Sequence, residues 1–150
     1  MNNSFIYSSL MILAGLGIPV MAALNGGLGG RLQSPAAAAA ILFGLGLLIT
    51  TVYVLATEGL PSTLYVAGTP WYFYCGGFFV AFYVLTITWV APRFGVSNAI
   101  ALVLLGQLIA MSLIDHFGLL NVPQYTISFQ RLFGLVLMAC GVFMVLNKAS

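Results

Sequence analysis

Residues 36–57 read AAAAAILFGLGLLITTVYVLAT, with no charge, proline or amide side chain in the run. A helix needs roughly 20 apolar residues to cross the hydrocarbon of a bilayer, and this stretch has them. It is a continuous apolar run. The strands of a membrane barrel instead alternate over segments of about ten residues. Four further stretches of the same kind flank it, so spans are expected at about 5–24, 36–57, 71–90, 96–115 and 130–146. The sequence therefore predicts an all-α integral membrane protein with five transmembrane helices in a single domain, 1–150.

Charge supports this reading. Lysine and arginine total 4, aspartate and glutamate 2, so 4% of the 150 residues are charged, while 62% are hydrophobic and the mean hydropathy is +1.13. A soluble domain carries about 25% charged residues, and this composition cannot keep such a surface wet. A net charge of +2 is too small to point to nucleic acid. Val20-Met21-Ala22-Ala23 is a small-residue tract like a cleavage site, but no basic region precedes it. The first stretch is therefore expected to be a span. Cys75 and Cys140 fall inside helices and read as small packing residues. No cofactor or metal is expected, because one histidine beside one aspartate is too few ligands.

The connections follow from the helix breakers. Pro19 removes a backbone donor and predicts a kink, and Asn25-Gly26-Gly27-Leu28-Gly29-Gly30-Arg31 is expected to end the first helix. Ser34-Pro35 suits a helix start. Ala36, Ala40 and Gly44 predict a small-residue contact face on the second helix, and Gly76, Gly77 and Ala81 one on the third. Trp71-Tyr72 and Trp89 mark the two interfaces of the third helix. Ala91-Pro92-Arg93-Phe94-Gly95 predicts a tight turn into an antiparallel hairpin with the fourth helix. Five crossings place Arg31, Arg93 and Lys148 on one side and Arg131 on the other, which favours a cytoplasmic C-terminus by a narrow margin.

With so few polar groups in the spans, each is readable. Gln107 is the deepest, near the middle of the fourth helix. Asp115 lies about 12 Å further along the axis, on the stripe that also holds Met111. An amide and a carboxylate on one stripe should face protein or water rather than lipid. Either they line a substrate or proton pathway, or Gln107 bonds another helix and Asp115 pairs with Arg131 or His116 at the headgroup boundary. Asn25 sits between Pro19 and the glycines, where freed backbone groups can build a transporter site; the alternative is helix capping. Trp71 can stack on an apolar or cationic ligand or serve as an interface anchor. The candidate substrate contacts are Gln107, Asn25, Trp71 and Ser112, with Asp115 and His116 as coupling or ion-binding groups. No nucleophilic or phosphate-cradling motif stands out, so an enzyme is not expected.

An ordered series of motifs carries a resemblance over nearly the whole chain. It comprises Pro19 to Asn25 with Leu28-Gly29, Pro70-Trp71 with Gly76-Gly77, Ala91 to Gly95, Gly106-Gln107, Ile114 to Gly118, and Arg131 with Gly134 and Gly141. The chain resembles the YdcZ-type family of small five-helix membrane proteins in the drug/metabolite transporter superfamily. The resemblance implies a bundle related to small multidrug-resistance-type proteins, in a bacterial-type inner membrane. It also implies an exporter acting as an antiparallel pair, either with a second copy or with an oppositely oriented homologous chain. One departure is Met21, where the resemblance implies glutamine; methionine offers no amide to a ligand. The expected partners are this second chain, membrane lipid and a small organic substrate, amphipathic or cationic. A non-transporting scaffold or accessory subunit is the competing reading.

Overall fold

The computed structural model describes residues 3–147, which leaves Lys148, one of the charges used for sidedness, outside the described residues. The helices are α1 (Asn3–Arg31), α2 (Pro35–Thr57), α3 (Gly76–Phe94), α4 (Val96–Phe117) and α5 (Phe129–Asn147). A 3-10 turn, Trp71–Cys75, leads into α3, and another, Leu119–Asn121, follows α4. Among the described residues there is no β-strand. Among these residues, five helical segments are long and apolar enough to cross a membrane. The chain clusters into two compact units, one ending at Arg93 and the other starting at Phe94.

In the first unit, α1 does not stop at the glycine-rich stretch. It runs through Pro19 and all four glycines to Arg31, so the expected helix end near residue 24 is corrected. A glycine inside a helix costs about 1 kcal/mol relative to alanine. A backbone polar group left unpaired in hydrocarbon costs several kcal/mol, so continuing the helix wins. Two of the glycines also allow close packing. A Cβ on Gly29 would lie 3.2 Å from both Pro35 Cα and Thr88 Cγ2, and one on Gly26 would lie 3.0 Å from the Pro92 ring. Both α2 and α3 therefore press against the backbone of α1.

The helix ends at a Schellman motif. Ser34 N–H donates to the Gly29 carbonyl and Gln33 N–H to that of Gly30, with Gln33 left-handed at φ 53°. Ser34 then caps α2 by accepting from Ala37 N–H at 3.1 Å, and Pro35 takes the first helical position. The contact face of α2 is not the expected one. Ala38 and Ala39 are buried, whereas Ala36, Ala40 and Gly44 are exposed. The entry angle set by the Ser34 cap turns this neighbouring pair toward α1. Ala22, Val84, Ile87 and Ala91 complete the small-residue core of the unit.

The expected turn at residues 91–95 shrinks to one residue. Pro92 is helical, α3 reaches Phe94, and Gly95 alone precedes α4 with φ 93°, which favours glycine. In the second unit α4 packs on α5, with Ala99, Ser112 and Val142 buried. A left-handed Gly118 closes α4, its N–H donating to the Ile114 carbonyl.

The close approach at Gly29 is testable. Gly29→Val should lower stability in detergent by about 1–3 kcal/mol through overpacking. Gly27→Ala, where an added Cβ meets nothing within 4 Å, should be neutral or slightly stabilising. Thermal unfolding of the two variants beside the parent checks this, and equal tolerance at both positions would contradict the packing described.

Candidate functional site

The continuity of α1 changes the setting of Asn25. Instead of sitting at a break, it lies within a helix and is 5% exposed. Its Nδ2 donates to Thr88 Oγ1 of α3 at 2.5 Å, and Thr88 is itself 1% exposed. That bond uses one amide N–H. Asn25 also borders a groove of about 310 Å³ between α1 and α2, otherwise lined by aliphatic and methionine side chains including Met21, Leu28 and Leu42. Met21, one turn before Asn25, thus makes this groove more apolar than a glutamine would, leaving the asparagine as its polar group.

The second unit gathers Asp115 and His116 with the loop after α4. Arg131 Nη2 of α5 donates to Asp115 Oδ2 at 2.8 Å, with both side chains partly buried. The loop folds back onto the same turn. Tyr125 N–H donates to the Asp115 carbonyl at 2.8 Å and Gln124 Nε2 to the His116 carbonyl at 2.8 Å. Ile127 N–H donates to His116 Nδ1 at 3.3 Å, so this ring nitrogen is the unprotonated one. The His116 ring also meets Phe117 edge-on, with centroids 4.9 Å apart. Asp115 and His116 are therefore one cluster that fastens the end of α4 to α5 and to the loop between them.

The remaining candidates take no part in the hydrogen bonds of that cluster. Ser112 is buried, and its hydroxyl donates to the Leu108 carbonyl one turn back at 2.8 Å. Trp71 is 77% exposed at the start of the 3-10 turn before α3. Gln107 is exposed midway along α4. Among the described residues, the side-chain hydrogen bonds of α4 are those of Asn98, Ser112, Asp115 and His116; none of them reaches the Gln107 amide. The Tyr83 hydroxyl of α3 is buried with no hydrogen-bond partner among the described residues.

A protein-family model described as "Putative inner membrane exporter, YdcZ" matches residues 6–144. The chain belongs to this family. No curated protein and no solved structure matches it. As a YdcZ-family chain with five helices fit to cross a bilayer, it is a multi-pass protein of the inner membrane. The family description, an exporter, is that of a transport protein rather than an enzyme.

Within this family member, reasoning from sequence alone missed Thr88, Gln124 and Ile127. A hydroxyl one turn before Pro92 was a usable sign for Thr88, although α3 also carries Thr86 and Tyr83. The loop partners Gln124 and Ile127 carried no sequence signal, because the turn that returns them rests on left-handed Leu120 and Asn121.

The ion pair gives a direct test. Arg131→Met should destabilise the protein by about 1–3 kcal/mol, because it leaves the Asp115 carboxylate uncompensated. The double variant Asp115→Asn/Arg131→Met should lose less than the sum of the single losses. Strict additivity in detergent unfolding would mean that the two side chains are not coupled.

Proposed function

We propose that this chain is one subunit of a secondary transporter. In this reading it exports a small amphipathic or cationic organic molecule by alternating access across an antiparallel dimer. Membership of the YdcZ family supports the exporter class. The observation that carries the finer reading is Gln107. An amide half-way along a membrane helix, satisfied by none of that helix's own side-chain bonds, is costly in hydrocarbon. A second copy and a bound substrate would give it partners.

An odd number of crossings puts the termini on opposite sides of the membrane. Two oppositely oriented copies then form a pair whose two-fold axis lies in the membrane plane, the inverted arrangement that many transporters contain within one chain. Both orientations must insert, and a chain with only 4 basic residues sets little bias against either. The pair is isologous, so Gln107 appears twice near the midplane. Rocking of one subunit against the other exchanges access without moving the site.

In this reading Gln107 contacts the substrate. Asn25 offers a second polar contact in its aliphatic groove, and exposed Trp71 offers a ring face to a cationic group. Asp115 is the group for proton coupling or for holding a cation, with His116 beside it. The carboxylate begins in an ion pair, so an incoming proton or cation must compete with Arg131. Ser112, bonded to its own helix, shapes the wall more than it binds.

Two measurements test the proposal. Gln107→Ala should abolish transport while the dimer persists in detergent sizing; full activity in that variant would remove Gln107 from the site. Single cysteines at either terminus of a Cys75/Cys140-free variant, labelled from outside intact cells, should react in comparable fractions. Labelling of one terminus alone would rule out an antiparallel homodimer and require an oppositely oriented homologous chain.

A further inference from the structure

One end of the α1–α2–α3 unit holds a cleft that the transport reading does not use. Its volume is about 320 Å³, and Gly29, Gly30, Gln33, Thr88 and Arg93 are among the residues lining it. Gly30 leaves the cleft open to the helix backbone, since a Cβ there would meet nothing within 4 Å, while Gly26 and Gly29 are covered by α3 and α2. Arg93 is fixed at the edge by its own helix. Its guanidinium donates to the Trp89 carbonyl and lies over the Trp89 ring, 4.9 Å from the centroid. A guanidinium carries five N–H donors. The carbonyl takes one, which leaves a planar fork already held in place, and such a fork matches the oxygens of a phosphate.

The charges around the cleft have one sign. Arg31, at the end of α1, borders a second cleft of about 310 Å³ whose wall includes Leu24 and Leu28. The one acidic residue of this unit is Glu58, which follows the last residue of α2, at the opposite end of that helix from Pro35. Asp115, the other acid of the chain, is bonded to Arg131. Among its described residues, this end of the unit therefore offers two guanidiniums, no carboxylate, and a cleft at Arg93 whose wall includes polar side chains.

We propose that it binds the phosphate headgroup of an anionic membrane lipid. The fork of Arg93 holds the phosphate in this cleft, and Arg31, at the same end of the unit, adds positive potential. Basic clefts between helices at the membrane surface recognise such headgroups. A zwitterionic choline headgroup fits less well, because it would set a third cation beside two.

The two tryptophans of the chain make a built-in test. Trp89 stacks under Arg93, whereas Trp71 starts the 3-10 turn at the other end of the same span. In phosphatidylcholine bilayers, a Trp71→Phe variant reports on Trp89 alone and a Trp89→Phe variant on Trp71 alone. Brominated phosphatidylglycerol should quench Trp89 with an apparent association constant roughly fivefold above that of brominated phosphatidylcholine, while Trp71 shows no preference. Adding Arg93→Gln to the Trp71→Phe variant should bring the preference at Trp89 close to one, and Arg93→Lys, which keeps charge without the fork, should retain part of it. Equal quenching of Trp89 by both lipids overturns the proposal, as does a preference that survives Arg93→Gln. Loss of the preference on adding inorganic phosphate would also overturn it, in favour of a free-anion site. If Arg93→Gln fails to fold, the comparison of Trp89 with Trp71 in the arginine-containing protein decides alone.

Discussion

A backbone in hydrocarbon must satisfy its own hydrogen bonds, and the rest of this structure follows from that requirement. It carries α1 through Pro19 and the four glycines between Asn25 and Arg31, which would favour a helix end in water. It also places the exceptions at helix ends, where a Schellman turn at Gln33 and a left-handed Gly118 use the last carbonyls. Once the helices are fixed, association in lipid depends on how closely their backbones approach, because the tails outside are as apolar as the side chains inside. The core of the first unit is accordingly made of Ala22, Ala38, Ala39 and glycine contacts, with only Val84 and Ile87 as larger apolar side chains.

This explains which parts of the fold were legible in the sequence. The five spans were readable, since length and apolarity decide them and charges are too rare to confuse the reading. The glycine stretch after Asn25 was misread because turn chemistry learned from water assumes that a broken helix can bond to solvent. The contact face of α2 was misread for a different reason. In a run of five alanines every face is small, so spacing cannot tell Ala38 and Ala39 from Ala36 and Ala40. The rotation that chooses between them comes from the Ser34 cap and the approach of Pro35 to Gly29, which are three-dimensional facts.

The candidate site divides along the same line. Polar pairs within one unit resolved into structure. The pairing of Asp115 with Arg131 was among the alternatives the sequence offered, whereas the bond from Asn25 to Thr88, 63 positions away, was signalled only by the two polar groups and by the place of Thr88 one turn before Pro92. Both bonds join helices, and each removes hydrogen-bonding capacity that a ligand could otherwise have claimed. Gln107 is the contrast. It lies on the stripe of Asp115, yet none of the bonds that fasten the end of α4 reaches it.

That contrast bears on how a transport cycle could be coupled. The Asp115 carboxylate meets the Arg131 guanidinium, while the Asp115 carbonyl and the His116 ring accept backbone N–H groups from the returning loop. Neutralising the carboxylate would weaken the link between α4 and α5 and leave the arginine in need of another partner. Disturbance at Asp115 would thus reach both a helix contact and a loop. Gln107 sits about 12 Å away along a continuous helix, outside that bonded set. In the proposed cycle, the group that would sense charge and the group that would meet substrate are joined by α4 but share no hydrogen bond. A carrier needs that separation if proton binding is to alter access to the site without occupying it.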